Sequence, residues 1–244
     1  MYYIVAVYFA LLFVSTSLVM FPLAAALRVL TGLFDKRLIA LNVLTSFWAS
    51  IYIWLNPIWS ITINGRKNVD TKKAYVMVCN HQSYLDIPVI FRSFLNFKWV
   101  AKASLFKVPI VGWNMWLNRS IKIERSSTKS QRRMLNKCGE HIRNGSSVMI
   151  FPEGTRARNG KLRTFREGAF LIALQEKTDI LPMVIDGSYK ALPEKGLIPK
   201  NSQKVCLNIL SPIPYETFNN MNVRDLAEHV HKIVALELER MRSC

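Results

Sequence analysis

Two side chains capable of acid–base chemistry lie close together in the sequence, at the end of an apolar, strand-like run. His81 follows the run that ends at Cys79, and Asp86 lies five residues after the histidine. Ser83 and Asp86 form a Ser-x-x-Asp pattern, which is typical of the start of a helix. Because five residues of regular α-helix turn through about 500°, two mid-helix side chains at this spacing would point about 140° apart. A contact therefore requires a helix that begins near Ser83, with His81 in the turn before it.

In such a turn the imidazole of His81 would fold back, present one ring nitrogen to Asp86 and leave the other facing outward as a base. That orientation is the one used by His/Asp catalytic pairs. The alternative is an ordinary strand-to-helix turn in which Asp86 is a first-turn carboxylate and His81 is a surface residue. Cys79 shares a strand face with His81 and could be a nucleophile, but a buried strand cysteine is the ordinary explanation.

A second candidate site follows another apolar run and has the sequence Phe-Pro-Glu-Gly-Thr-Arg over residues 151–156. Pro152 would end the strand ladder, and Gly154 permits an unusual backbone turn. Free backbone N–H groups in such a turn, together with the forked guanidinium of Arg156, make a good site for an anion such as phosphate. The alternative is a polar turn held together by an ion pair between Glu153 and Arg156.

Short apolar runs alternate with helical patterns along most of the chain. We predict strands at residues 74–79, 98–101, 120–124, 147–151, 180–185 and 205–210. We predict helices at residues 83–94, 104–117, 129–143, 167–176 and 223–241. This alternation indicates an α/β fold with a mixed, largely parallel sheet flanked by helices. Because ligands bind beyond the carboxyl ends of the strands of such sheets, His81 and residues 151–156 are expected at the same edge.

The first part of the chain is apolar and almost uncharged. Residues 1–27 and 38–65 contain no Asp, Glu, Lys or Arg. A helix as long as either segment would measure about 40 Å, more than the roughly 30 Å of a bilayer's hydrocarbon core. We therefore predict two apolar, membrane-associated N-terminal helices, as a membrane-embedded pair over residues 1–65 that precedes a second domain over residues 66–244. The aromatic residues of the second segment that suit the headgroup level are Trp48, Tyr52, Trp54 and Trp59.

Two topologies are open for this helix pair. A complete hairpin would keep the N-terminus and the basic remainder of the chain in the cytoplasm, but it would place Lys36 and Arg37 outside, against the positive-inside trend. A pair of helices that dips into one leaflet avoids this conflict. Residues 1–27 also lack a basic region before the apolar run, which argues against a cleaved signal peptide.

The chain is strongly basic, with 33 Lys and Arg against 16 Asp and Glu and a formal net charge of +17. Nearly all of this charge follows residue 63. Such a domain should bind anionic lipid headgroups, to which each well-placed basic residue contributes about 1 kcal/mol. Nucleic acid is the other polyanion to consider, but we find no nucleic-acid-binding motif in the sequence. The four cysteines have no paired or metal-ligand spacing, which suits a reducing compartment and predicts no metal site.

Four segments of the chain together resemble the sequence blocks of the glycerolipid acyltransferases, in particular the lysophosphatidic acid acyltransferase family. Residues 80–86 look like the family's H-x4-D block, and residues 151–156 match its F-P-E-G-T-R block as it stands. Residues 120–125 resemble the intervening block that ends in arginine, and residues 181–187 resemble the fourth, proline-containing block. The blocks occur in the family's order. The N-terminal apolar segments also resemble the helix pair that precedes the catalytic domain in bacterial members.

The resemblance implies an acyltransferase that moves a fatty acyl group from acyl-CoA or acyl carrier protein to the sn-2 hydroxyl of 1-acyl-sn-glycerol-3-phosphate, giving phosphatidic acid. His81 would be the general base and Asp86 would hold its tautomer. The acceptor hydroxyl would itself be the nucleophile, so no acyl-enzyme and no metal or bound cofactor is implied. The residues implied to bind or shape the site for the phosphate-bearing acceptor are Arg156, Lys102, Arg125, Glu153, Gly154 and Thr155.

The resemblance also implies a localisation at the phospholipid surface of a bacterial inner membrane, with the catalytic domain on the cytoplasmic side. Lys161, Arg163 and Arg166 are assigned to solvent or headgroup contacts. Arg119 and Glu124 depart from the intervening block, where glycine and aspartate are usual, and both could alter acceptor preference. The competing functions are an acyltransferase for another lyso-lipid acceptor, a His/Asp phospholipid hydrolase and a non-enzymatic binder of anionic lipid.

Overall fold

A seven-stranded sheet organises the chain in the computed structural model, which describes residues 2–56, 58–157, 159–192 and 202–243. The strands are β1 Trp59–Asn64, β2 Val76–Cys79, β3 Phe97–Lys102, β4 Ile121–Ile123, β5 Ser147–Ile150, β6 Ile180–Asp186 and β7 Gln203–Ile209. The α-helices are α1 Tyr2–Thr31, α2 Ile39–Trp54, α3 Asp86–Phe91, α4 Val111–Leu117, α5 Thr128–Arg143, α6 Gly168–Gln175, α7 Ser188–Ala191 and α8 Val223–Ser243. Short 3₁₀ turns cover Arg66–Asn68, Ala103–Lys107 and Tyr215–Thr217.

The strand order is β1-β7-β6-β2-β5-β3-β4, and the predicted mixed, largely parallel sheet is confirmed. β2 lies parallel to both β5 and β6, and β3 lies parallel to β5 and β4. Only the pairing of β6 with β7 is antiparallel among the described strands. β2 and β5 are buried along their whole length, which is why they are short, apolar and not alternating in polarity.

Successive side chains of β2 enter two separate cores, one on each face of the sheet. Val76 and Val78 pack with buried residues of α5, α6 and α8, such as Phe170. Met77 and Cys79 point to the other face and belong to the core that includes residues of α2 and α3. The sheet is therefore covered on both faces, and the carboxyl ends of its parallel strands are left as the place for a polar site.

The second uncharged segment is not a single helix, so the expectation of a membrane helix along residues 38–65 is wrong. α2 ends at Trp54, and residues 59–64 form β1, which pairs in parallel with β7 and alternates in burial along its length. The 16 residues of α2 measure about 24 Å, less than a hydrocarbon core. Trp48 is buried rather than exposed to headgroups, because it is 6% exposed and its indole N–H donates to Thr16 on α1 over 3.2 Å.

α1 and α2 differ in how they relate to the rest of the protein. Of the residues that the structure describes, Val7–Thr31 in α1 form the helix that is long and apolar enough to cross a membrane by length and composition. α2 is instead docked on the sheet domain. The Asn42 amide donates to the carbonyl of Phe97, and the Asn118 amide donates to the Thr45 hydroxyl. The division of the chain at residue 65 stays a prediction, with β1 placed in the sheet.

Two predicted helices have different bounds in the structure. The helix expected from residue 83 begins at Asp86, because residues 80–85 form the turn that carries His81. The helix expected over 104–117 is split into a 3₁₀ turn that ends at Lys107 and α4, which begins at Val111. Proline lacks a backbone N–H and restricts the residue before it, which explains a break at Pro109.

Candidate active site

His81 lies in the turn between β2 and α3, at the carboxyl end of β2. Its Nδ1 atom is 2.7 Å from Oδ2 of Asp86, the first residue of α3. The imidazole stacks on the ring of Phe151 with centroids 3.8 Å apart and planes 8° apart. The turn therefore brings the predicted pair together. Since a carboxylate only accepts hydrogen bonds, Nδ1 carries the proton and Nε2 is left with its lone pair.

The Asp86 carboxylate is completely buried and receives hydrogen bonds on both oxygens. The backbone N–H groups of Gln82 and Ser83 donate to Oδ2 over 2.7 and 2.9 Å, beside the His81 ring. The Ser188 hydroxyl donates to Oδ1 over 2.5 Å. Four donors thus fix the position of the carboxylate that orients His81. Ser188 directly follows the proline-containing block, and no local pattern in the sequence marks it as part of the site.

Glu153 is a buried support of the His81 turn. Its side chain accepts the backbone N–H of His81 over 2.6 Å and the backbone N–H of Arg163 over 3.0 Å, one on each oxygen. Burial raises the pKa of this carboxyl to about 7, the nearby Asp86 charge adds to the rise, and the two backbone donors oppose it. Glu153 does not project into solvent, because the residue is 3% exposed and its carboxyl links two loops.

Arg156 lies across the turn from Glu153 and does not form the ion pair considered as an alternative. Its guanidinium carbon is 3.7 Å from the centroid of the Tyr84 ring, a cation–π arrangement. Tyr84 belongs to the His81 turn, so Arg156 contacts the turn that carries the His/Asp pair. A guanidinium that rests flat on a ring keeps its N–H edge available for an anion.

Gly154 has a φ of +71°, in the left-handed region that favours glycine. A Cβ at this position would lie 2.7 Å from Nε of Arg166, so the arginine packs directly over the glycine. Arg166 was assigned to solvent or headgroup contacts; its side chain is exposed but also covers the Gly154 turn. Thr155, the next residue, is exposed on the same turn.

Arg125 and Lys102 follow the neighbouring strands at the same edge of the sheet. Arg125 comes two residues after β4, and its pKa is lowered by burial and by the positive charge of Arg166. That repulsion indicates that the two guanidinium groups share one region, beside Gly154. Lys102 is the last residue of β3 and is exposed. The structure therefore clusters Arg125 with Arg166, and Lys102 occupies the adjacent strand end.

A polar network behind the His/Asp pair reaches the C-terminal helix. Gln82 donates from Nε2 to Oδ1 of Asp186 over 3.1 Å, and its Oε1 is 3.3 Å from the Ser188 hydroxyl. Arg242 on α8 donates to Asp186 Oδ1 and to the carbonyl of Gly160, each over 2.7 Å. These contacts tie three connecting segments and α8 together behind Asp86.

Cys79 is completely buried in β2, and burial raises the pKa of its thiol well above the ordinary value. A thiol in this condition is not a nucleophile. The structural explanation for this cysteine is confirmed.

The comparisons with known proteins agree with this geometry. The family model described as Acyltransferase matches residues 60–186, more than half of the chain. The chain therefore belongs to the acyltransferase family. A crystal structure of the 1-acyl-sn-glycerophosphate acyltransferase PlsC from Thermotoga maritima shares the fold, with a TM-score of 0.71, 24% identity and coverage of 95% of this chain and 96% of that one.

Curated relatives are named 1-acyl-sn-glycerol-3-phosphate acyltransferases. One, from Chlamydomonas reinhardtii, is 33% identical over 228 residues, which cover 91% of this chain and 64% of the relative. A chloroplastic one from Arabidopsis thaliana is 34% identical over 170 residues, which cover 68% of this chain and 47% of the relative. The chain thus spans about half to under two thirds of the length of these relatives.

Proposed function

We propose that this protein is a membrane-bound acyltransferase that forms phosphatidic acid. It transfers a fatty acyl group from an acyl thioester to the sn-2 hydroxyl of 1-acyl-sn-glycerol-3-phosphate. The observation that carries the proposal is the 2.7 Å contact between His81 Nδ1 and Asp86 Oδ2, in a chain of the acyltransferase family whose relatives bear that name.

His81 acts as the general base in this reaction. Its Nε2 takes the proton of the acceptor hydroxyl as the oxygen attacks the thioester carbonyl, and Asp86 stabilises the imidazolium that forms. When the tetrahedral intermediate collapses, the C–S bond breaks and the imidazolium returns the proton to the leaving thiolate. General-base assistance of this kind contributes roughly 10² to 10⁴ in rate. The Asp86 carboxylate is held in one position by its four hydrogen-bond donors, and this fixes the orientation of the His81 ring.

The acceptor phosphate binds to cations at the carboxyl edge of the sheet, the edge that carries His81. Arg156 is the first of these, because its contact with Tyr84 places it on the His81 turn. Arg125 and Lys102 lie at the ends of the neighbouring strands and complete the positive edge. The backbone turn at Gly154 gives this edge its shape, and Glu153 and Thr155 flank the glycine.

The acyl donor is acyl-CoA or acyl carrier protein, both of which carry phosphate and suit a basic surface. The reaction takes place at the cytoplasmic surface of a bacterial inner membrane. Releasing a sixteen-carbon acyl chain into water costs on the order of 11 kcal/mol, at roughly 0.8 kcal/mol for each methylene. An enzyme held at the bilayer by α1 avoids that step for both acceptor and product.

The test is acyl transfer from palmitoyl-CoA and palmitoyl-carrier protein to 1-acyl-glycerol-3-phosphate in anionic vesicles. His81→Ala should lower the rate by at least about 100-fold, and Arg156→Ala should mainly raise the KM for the acceptor, by roughly tenfold. The matched controls are His229→Ala on α8 and Arg132→Ala on α5, which remove exposed side chains of the same types.

The outcomes separate the parts of the proposal. Transfer to another lyso-lipid but not to 1-acyl-glycerol-3-phosphate would overturn the acceptor. Wild-type rates in His81→Ala would overturn the general-base role. An unchanged acceptor KM in Arg156→Ala would remove Arg156 from the phosphate site.

A further inference from the structure

Exposed large apolar side chains are confined to a small part of this protein. Among the described residues, all but Tyr84 and Leu236 lie within residues 7–55 or residues 108–116. The first of these ranges contains α1 and α2 and was expected from the sequence. The second, at the start of and along α4, lies in the middle of the α/β domain, for which the sequence predicted binding to anionic headgroups through basic residues.

The α4 apolar surface consists of Val108, Val111, Trp113 and Trp116. Trp113 is 52% exposed and Trp116 is 74% exposed. Their three-residue spacing places both indole rings on one side of α4, while Leu117 and Gly112 are buried on the side that faces the protein. Exposed indoles in this arrangement are typical of a surface that meets another phase or partner.

This surface is continuous with the apolar surface of α1. The rings of Phe21 on α1 and Trp113 on α4 are in contact, with centroids 5.6 Å apart. α4 is also fixed against the turn before it, since a Cβ at Gly112 would collide with the backbone of Phe106. The two helices thus present one apolar surface, and α4 cannot turn its tryptophans inward independently.

Exposed basic side chains precede and follow the α4 apolar surface in the chain. Lys102 and Lys107 are exposed before α4, and Arg119 and Lys122 are exposed after it. Apolar and indole side chains flanked in the chain by cations match the bilayer interface, where indoles lie at headgroup depth and basic residues meet anionic phosphates. A second copy of the chain is a poorer partner, because a two-fold contact would bring these cations against each other.

We propose that the α4 apolar surface inserts into the headgroup region of an anionic bilayer, as a membrane contact separate from α1 and α2. The inference rests on the membrane-bound enzyme proposed above and extends it. α4 connects Lys102 at the end of β3 to β4 and Arg125, so inserting α4 sets the depth of the positive edge. The site then opens at the level of the acceptor's phosphate.

The test measures the depth of Trp116 directly. The full chain is reconstituted into phosphatidylcholine–phosphatidylglycerol vesicles with and without brominated acyl chains, which quench indoles that reach them. The fluorescence of wild type minus that of Trp116→Phe isolates the signal of Trp116. We expect brominated lipid to remove at least about half of this difference signal. As a control, the fluorescence of Leu236→Trp minus that of wild type isolates the signal of an indole at an exposed position outside both apolar ranges. This signal should persist in brominated lipid.

A second measurement reports what the contact does. Trp113→Ser with Trp116→Ser should lower acyl transfer to acceptor in vesicles by roughly tenfold and leave transfer to a water-soluble short-chain acceptor unchanged. Leu236→Ser is the matched control and should change neither rate. An unquenched Trp116 in vesicles that retain the protein would overturn the inference and leave the proposed reaction standing. If Trp116 is quenched but the wild type transfers no acyl group, the membrane contact of α4 stands and the proposed reaction is overturned.

Discussion

The two ends of the parallel strands both bury charged side chains, but in different ways. At the carboxyl ends, Asp86 and Glu153 are buried and each accepts backbone N–H groups from the loops around His81. Near the amino end of β3, Lys98 is 1% exposed, and its ammonium donates to the carbonyl of Arg37 in the turn between α1 and α2. One end orients the His81 imidazole, and the other attaches the helix pair.

The electrostatics of the two ends differ accordingly. Burial lowers the pKa of Lys98 to about 8; Asp35 opposes this, while Arg119 and other nearby cations add to it. His141 lies near Lys98, and its pKa is lowered to about 4, mainly by burial and then by the charge of Lys98. At the carboxyl ends, hydrogen-bond donors surround the carboxylates of Asp86 and Glu153. Lys98 is instead a buried cation near Asp35 and several arginines, and its ammonium attaches the turn after α1 through the carbonyl of Arg37.

Removing a donor from Asp86 should disturb the carboxyl end most strongly. In Ser188→Ala, Oδ1 of Asp86 loses the hydroxyl that donates to it, and the buried carboxylate can shift away from the position that orients His81. An unsatisfied buried acceptor costs about 1–3 kcal/mol, so we expect kcat to fall by roughly 10- to 100-fold. Because Ser188 acts through Asp86, the acceptor KM should stay the same, as measured by steady-state acyl transfer.

The control for Ser188→Ala is Ser50→Ala. Ser50 is also completely buried, and its hydroxyl donates to the carbonyl of Ser46 on α2. It should lower thermal stability by a similar amount and leave kcat unchanged. A joint fall in kcat and stability in both variants would mean that Ser188 is only structural.

The buried cation should make stability depend on pH in the alkaline range. The unfolded state keeps Lys98 protonated up to a pKa of 10.5, whereas the folded state loses the proton at about pH 8. Over this window the unfolded state binds more protons, so the free energy of unfolding should rise with pH, by about 3 kcal/mol in total. Lys98→Met should remove this rise, as followed by thermal unfolding in detergent between pH 7 and 10.5.

Exposed Lys129→Met is the control for Lys98 and should keep the alkaline rise. If Lys98→Met shows the wild-type pH dependence, Lys98 is not the group that titrates. Below pH 8, Lys98→Met should be neutral or stabilising, since a buried charge with one carbonyl partner is replaced by an apolar chain of similar length.

The sequence predicted the carboxyl end of the sheet better than the rest, for physical reasons. His81 and Asp86 are five residues apart, so their contact is local and follows once the turn is placed. The contacts that complete the site join distant segments, such as Ser188 to Asp86 and Glu153 to the backbone of His81. No local pattern encodes those contacts, and a charged residue such as Glu153 is ordinarily expected at the surface.

The same limits explain the differences in the fold. β1 was not predicted because residues 59–64 continue an uncharged segment. The alternation of apolar and polar side chains in these residues is short compared with the apolar run that precedes them. Lys98 was placed in a strand correctly, but its burial depends on the turn after α1, sixty residues earlier. The indoles of α4 fall in the helix predicted over residues 104–117, but no local pattern shows their exposure, because exposure is a tertiary property.

The smallest expected effect concerns Arg119, which lies near Lys98 and departs from the glycine usual in its block. Its φ is +55°, in the left-handed region that side chains with a Cβ rarely adopt. Arg119→Gly should therefore relieve backbone strain of about 1 kcal/mol and raise the unfolding midpoint by roughly 2–4 °C. It also removes a cation that lowers the pKa of Lys98, so the alkaline rise in stability should begin at a higher pH.

Arg132→Gly, in α5, is the control and should lower the free energy of unfolding by about 1 kcal/mol, because glycine weakens a regular helix. Equal destabilisation of both variants would mean that the left-handed turn at Arg119 carries no strain.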